Sequence, residues 1–239
     1  MQLLRRLSTV FIPLVFAASL TAQTTINFLF SSEGSYQGVS ALPGSSASDR
    51  WNVLGGSPDI NMSLTMLRDV SEEFTPVSLY MHTATFENLR LGGLPNSGLP
   101  IFTSYAHSDG RGAMTFNLSG LEEGGVYNLY VYAARDLSYY GPEATESNTI
   151  AFDAEQPFQT SYTSAQTSEF IEGTNYVQLA NLNADKSGNL SFNVSGIING
   201  FTLVSRSGEV AVPEPSTYAA MAGGLAMGFA LWRRRSRKA

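Results

Sequence analysis

Between residues 23 and 210, apolar and polar side chains alternate with a period of two. No stretch of about 12 residues repeats its apolar positions at helical spacing. Successive side chains of a strand point to opposite faces, so the alternation predicts short strands rather than helices. The clearest run is GGVYNLYVYAARD, residues 124–136. Val126, Asn128, Tyr130 and Tyr132 fall on one face, and Tyr127, Leu129, Val131 and Ala133 on the other. Both faces are largely apolar or aromatic, which predicts a central strand covered on both sides. Further strands are predicted at residues 25–30, 51–54, 63–67, 77–82, 113–118, 149–153, 175–179, 189–194 and 201–205. Turn-forming Gly, Pro, Ser, Asn and Asp separate them, as in LGGLPNSGLP at 91–100. Two strands echo each other, TFNLSGL at 115–121 and SFNVSGI at 191–197. Their surroundings differ, so they are read as similar strand ends on one sheet, leading into corresponding hairpin-like units, and not as a solenoid repeat.

About ten short strands without crossover helices predict an all-β domain over residues 23–210, a jelly-roll-like β-sandwich. The pattern breaks at both ends. Residues 1–22 have the order of a signal peptide: Arg5 and Arg6, an apolar stretch from Leu7 to Leu20, and small residues Thr21 and Ala22 for cleavage. Ser216 to Trp232 is a charge-free run of 17 residues, the short limit for a transmembrane helix across a hydrocarbon core about 30 Å thick. Arg233, Arg234, Arg235, Arg237 and Lys238 follow at once, and the positive-inside rule places them in the cytoplasm. Both ends therefore predict that the domain is exported.

Seven of the 14 Lys and Arg lie within the first six and last seven residues, so the middle sets almost all of the 20 acids against only seven bases. A domain this acidic repels phosphate backbones, and no nucleic-acid partner is expected. Cysteine is absent, which excludes disulfides, thiolate metal sites, Cys nucleophiles and lipid attachment through Cys.

Val212-Pro213-Glu214-Pro215-Ser216, the apolar run with paired glycines and the terminal Arg cluster together resemble the PEP-CTERM sorting signal of bacterial exported proteins. The resemblance covers about 28 residues. It implies recognition by an exosortase, a membrane-embedded transpeptidase, through Pro213, Glu214 and Pro215. It also implies processing near that motif and delivery to the cell surface or an extracellular polysaccharide matrix. Pro213 and Pro215 hold the chain extended and open to a protease just above the membrane. WNVLGG at 51–56, SGLEEGGVYNLYVYAARD at 119–136, EGTNYVQLANLNADKSGNLSFNV at 172–194 and INGFTLV at 198–204 resemble a β-sandwich exoprotein domain similar to galactose-binding-like jelly rolls. That resemblance implies a fold and does not fix an activity.

Candidate chemistry is sparse. His82 and His107 stand apart from any nucleophile-elbow pattern, so a Ser-His-Asp arrangement is not expected. Glycoside hydrolysis needs only two suitably spaced carboxylates, and Glu72, Glu73, Glu87, Glu122, Glu123, Asp136, Glu143 and Glu146 mostly fall in predicted turns or loops. NADKSGN at 183–189 has the oxygen ligands of a calcium loop but lacks the closing Glu and carries Lys186, so a tight hairpin is predicted. No metal or other cofactor is expected; calcium held by loop carboxylates is the open alternative. Tyr36, Tyr105, Tyr139, Tyr140 and Tyr162 are candidate sugar-stacking residues. The most site-like loop is RDLSYYGPE, where Arg135, Asp136, Tyr139, Tyr140 and Glu143 follow the best strand directly. These readings predict an exported, non-catalytic surface or matrix protein that binds extracellular polysaccharide. A polysaccharide-cleaving enzyme and a purely structural adhesion component are the alternatives.

Overall fold

In the computed structural model the first strand, β1 (Thr25–Phe30), sends Ile26, Phe28 and Phe30 to one face and Asn27 and Leu29 to the other, all buried. The structure describes residues 24–31, 35–54, 61–83, 99–108, 112–135, 137, 146–152, 157–162 and 168–206. The predicted signal peptide, the sorting motif and the 216–232 helix lie outside them. Among the described residues no helix is long and apolar enough to cross a membrane.

The remaining strands, in chain order, are β2 (Tyr36–Gln37), β3 (Arg50–Leu54), β4 (Asn61–Leu64), β5 (Ser78–Thr83), β6 (Ala106–His107), β7 (Met114–Ser119), β8 (Val126–Tyr132), β9 (Glu146–Ala151), β10 (Phe158–Tyr162), β11 (Tyr176–Asn183), β12 (Leu190–Ser195), β13 (Ile197–Ile198) and β14 (Gly200–Ser205). A single 3₁₀ turn, Pro100–Thr103, is the only helical element among the described residues. One six-stranded sheet runs β11-β8-β14-β1-β3-β2 and the second runs β10-β9-β12-β7-β5-β4; β6 and β13 pair separately. All ladders are antiparallel except β1 with β3.

The two sheets close on a shared apolar core. Phe28 stacks on Phe201 within the first sheet at 5.0 Å, and Phe116 stacks on Phe192 within the second at 4.8 Å. Phe30 meets Phe116 at 6.3 Å, and Phe192 meets Phe201 at 5.6 Å, across the sheets. The all-β expectation is met, and the two packed sheets form a β-sandwich.

The alternation in β8 falls as its sequence predicts. Tyr127, Leu129, Val131 and Ala133 enter the core between the sheets, whereas Tyr130, Tyr132 and Ala134 enter a second cluster beneath Trp51, Ile101 and Phe102. Cover on that outer face is partial, because Val126 and Asn128 are only half-buried. Tyr132 is fully buried, which pushes its phenol well above the ordinary value. Its hydroxyl oxygen accepts from the Ala41 amide at 3.0 Å and contacts the Thr202 hydroxyl at 3.0 Å. Thr202 in turn donates to Asn27 at 2.7 Å. This chain satisfies three polar groups that burial would otherwise penalise.

Several boundaries move. The strand predicted at 63–67 is Asn61–Leu64, because the backbone turns out of extended geometry at Met66, with φ of 55°. The strand predicted at 149–153 begins at Glu146, since Glu146 and Asn148 face inward and hide the alternation. β11 continues past 179 through an irregularity between Leu179 and Leu182, where Asn181 takes φ of 59°. The predicted hairpin at 183–189 is a tight turn, but its arms β11 and β12 belong to opposite sheets. The echoed strands β7 and β12 do share one sheet, as immediate neighbours. Each then leaves it through a positive-φ glycine, Gly120 or Gly196, toward β8 or β14 of the facing sheet. They are corresponding sheet-crossing corners, not hairpins.

Candidate functional site

β8 and β14 run antiparallel, with Gly200 opposite Tyr132 and Ser205 opposite Tyr127. This register gives the sandwich two distinct ends, separated by the roughly 20 Å length of a seven-residue strand. Both ends of the described chain sit at one of them, where the Ser205 amide donates to the Thr24 carbonyl at 2.9 Å and the Arg206 amide to Val126 at 2.7 Å. The predicted loop 135–143 starts at the other.

At that far end a buried polar network ties the tip of β8 to four neighbouring segments. Asn148 donates to the Ala133 carbonyl at 3.0 Å and accepts from the Ile197 amide at 2.7 Å. Thr160 donates to the same Ala133 carbonyl at 3.1 Å. Asn199 accepts from the Ala134 amide and donates to the Ser104 carbonyl, both at 2.8 Å. Arg135 comes next in the chain, its Nε 2.7 Å from a Glu146 carboxylate oxygen and its Nη1 donating to the Tyr105 hydroxyl at 3.0 Å. Burial works against the Arg135 charge, but the Tyr105 hydrogen bond and the Glu146 carboxylate outweigh it and raise the guanidinium above its ordinary value. Arg135 therefore stays cationic and anchors the root of the loop.

Asp136, Tyr139, Tyr140 and Glu143 lie outside the described residues. Tyr105 is 5% exposed and belongs to the second apolar cluster, so its ring packs rather than faces solvent. Tyr36 packs edge-on against Trp51 at 5.7 Å. Neither is a free stacking platform. His107 is in β6, and His82 lies on β5 with its Nδ1 2.6 Å from Asn61 Oδ1.

The end that holds Thr24 and Ser205 has a cleft of about 460 Å³. Ile26, Val77, Leu121 and Leu203 contribute apolar walls, and Asp69, Glu73 and Glu122 bring three carboxylates. Phe74 lines it too, 59% exposed, with the Arg68 guanidinium 3.7 Å above its ring. The corner at Gly120, Leu121 and Glu122 contributes to the wall and is braced by a second corner: the Leu121 amide donates to the Gly188 carbonyl at 3.0 Å, and the Ala184 amide to the Gly125 carbonyl at 2.9 Å. Within the second corner Asp185 accepts from the Ser187 and Asn189 amides, both at 2.8 Å, and from the Asn189 side chain at 3.2 Å. The hydrogen bonds from Asn189, chiefly its backbone amide, hold this carboxyl below its ordinary range. These oxygens close a turn. Among the described residues no group of three or more His, Asp or Glu is placed to hold a metal ion. Sequence separation conceals this cleft, because Asp69 and Glu122 are joined only by the fold.

From Arg206 the chain continues into the segment that decides where the protein goes. The model of the PEP-CTERM protein-sorting motif matches residues 211–235. The chain carries a PEP-CTERM sorting motif. It is accordingly an exosortase-sorted, exported protein associated with the cell envelope. The match spans Pro213, Glu214, Pro215, Arg233, Arg234 and Arg235, with Arg237 and Lys238 just beyond it. No curated protein and no solved structure matches the chain. The described chain leads toward the PEP-CTERM motif from the cleft end, at Ser205 and Arg206, and the root of the 135–143 loop lies at the opposite end.

Proposed function

We propose that the β-sandwich is a non-catalytic, jelly-roll-like module that binds extracellular carbohydrate at the cell surface or in the matrix. The observation that carries this reading is the polarity of the domain. Arg206, which leads into the sorting segment, lies at one end, while Arg135, fixed by Glu146 and Tyr105 at the other, leads into the Tyr-, Asp- and Glu-bearing sequence 136–143. A precursor held at the membrane through residues 216–232 would direct that loop outward, where polysaccharide is met. Tyrosine faces and carboxylates are suited to stacking on sugar rings and bonding their hydroxyls. The test is retention of the exported protein, purified from its cells, on exopolysaccharide from the same cells. The reading expects retention, and loss of it in a Tyr139→Ala, Tyr140→Ala variant. Equal elution of both proteins with buffer would overturn it.

The cleft supports a second reading. Three carboxylates beside apolar walls in about 460 Å³ are a fit for a polysaccharide-cleaving site. Release of new reducing ends from exopolysaccharide, lost in Glu73→Gln or Glu122→Gln, would favour the enzyme.

A further inference from the structure

The outer face of the second sheet carries no Asp, Glu, Lys or Arg. Glu146 is the one Asp, Glu, Lys or Arg in its six strands, and it shares the inward face with Asn148 and Ile150. The outward positions form rows across neighbouring strands. Ser63 lies opposite Tyr80, Tyr80 opposite Asn117, and Asn117 opposite Ser191. Beside it, Asn61, His82, Thr115 and Asn193 form the next row. Asn61, Ser63, Tyr80 and His82 are exposed, and Thr115, Asn117, Ser191 and Asn193 are half-exposed. By contrast, much of the outer face of the first sheet, including Leu29, Trp51, Tyr130, Tyr132 and Val204, is buried in the second apolar cluster.

The hydrogen bonds on this face use the amide oxygens. Thr115 donates to Asn193 Oδ1 at 2.7 Å, and Ser191 donates to Asn117 Oδ1 at 2.6 Å. Asn61 Oδ1 accepts from the Tyr80 hydroxyl at 2.8 Å and meets His82 Nδ1 at 2.6 Å. The oxygens fix the rotamers, and the amide nitrogens of Asn61, Asn117 and Asn193 are left as donors beside the 43%-exposed Tyr80 ring.

We infer that the β4-β5-β7-β12 face is a docking surface for an uncharged polysaccharide, separate from the 135–143 loop. Three considerations select that partner. The domain is strongly acidic, yet this face holds no Asp, Glu, Lys or Arg, with His82 as its one ionisable imidazole, so it offers a charged polymer no fixed partner. A second protein would bury amides and hydroxyls, which is costly unless each is paired, and protein interfaces favour aromatic, Met and Arg residues, of which this face offers only Tyr80. A neutral glycan supplies acceptor and donor hydroxyls to match the amide rows and a ring face for Tyr80. The inference takes the class of partner from the carbohydrate reading above and places it on a different surface.

The exported protein, purified from its cells, tests this on beads of cellulose, cross-linked dextran and agarose, with the polyanion alginate alongside. Retention is expected on at least one neutral polymer and not on alginate, unchanged between low and high salt because no ion pair is involved. The double variant Asn117→Asp, Asn193→Asp keeps the acceptors for Ser191 and Thr115 but removes two donors and adds charge. It should lower retention by about tenfold, the worth of one or two hydrogen bonds. Tyr80→Ala at an exposed position provides a second probe with the same expected direction, and Tyr139→Ala, Tyr140→Ala should keep neutral-polymer binding. Undiminished retention of both face variants, with loss only in the loop variant, overturns this inference and leaves the carbohydrate reading standing. Failure of every neutral polymer overturns it, as does loss of self-association alone in the face variants. Failure on the native exopolysaccharide as well would overturn both.

Discussion

Phe116 and Phe192 lie directly opposite each other on adjacent antiparallel strands, their rings 4.8 Å apart and within 9° of parallel. They are the two Phe of the echoed segments, and the fold places one against the other at the centre of the core. Both are fully buried. Phe192→Ala is expected to cost about 3–5 kcal/mol, the usual range for a buried aromatic. Phe116→Ala should cost the same. The double variant should fall short of the sum by about 0.5–1.5 kcal/mol, the part that belongs to the ring pair. Denaturant unfolding of the four proteins measures this, and strict additivity would deny the coupling.

Gly196 turns the chain from β12 toward β14 at φ of 104°, with the Asn148 amide oxygen where a Cβ would stand. Gly196→Ala is expected to destabilise by about 1–3 kcal/mol through backbone strain, and further by displacing Asn148 from the Ile197 amide. Gly124→Ala, where nothing lies near the added carbon, serves as the milder control: it too has positive φ, at 65°, but no neighbour to displace. A larger loss of thermal stability at Gly196 than at Gly124 is the outcome to look for.

Asp185 sits in the corner between β11 and β12, its carboxyl held below the ordinary aspartate value by hydrogen bonds from Asn189. A carboxyl lowered by folding stabilises fully above its unfolded value, about 3.9, and loses that contribution as pH falls through the folded value. Wild-type stability should therefore fall more steeply than that of Asp185→Asn as pH drops below about 4. Denaturation midpoints measured down the acid range check it, and parallel curves would contradict it.

Arg135 and Glu146 form a largely buried pair, with side-chain exposures of 16% and 19%. Arg135→Met removes the guanidinium from its contacts with the Glu146 carboxylate and the Tyr105 hydroxyl, at a cost of about 1–3 kcal/mol. Adding Glu146→Leu should recover part of that loss, because the largely buried carboxylate that lost the Arg135 contact is removed as well. Thermal melting of the single and double variants decides the matter, with no recovery being the adverse result.

The features readable from the chain alone are those carried by local alternation. β1 falls at the predicted residues, β8 presents the predicted faces, and the echo marks two strands of one sheet. What escapes is what burial of polar groups disguises. Asn148 and Thr160 face inward, satisfied by the Ala133 carbonyl, so β9 starts early and β10 goes unnoticed. Glu122 of the cleft meets Asp69 and Glu73, which share one local turn, only through the fold, which no spacing announces. The β4-β5-β7-β12 face had a visible signal, Ser, Thr and Asn alternating with apolar residues and no Asp, Glu, Lys or Arg, but only the pairing register assembles it into one surface.

Sorting through residues 211–235 is the claim on which the functional account depends. Mass spectrometry of the intact protein from the cell surface or matrix of its own cells tests it most directly. The account predicts a carboxyl terminus near Pro213-Glu214-Pro215, with the Arg233–Lys238 tail gone, and accumulation of uncut membrane-bound precursor when Pro213, Glu214 and Pro215 are replaced by Ala. A surface-localised protein that still ends at Ala239, and that reaches the same place after those replacements, would contradict it.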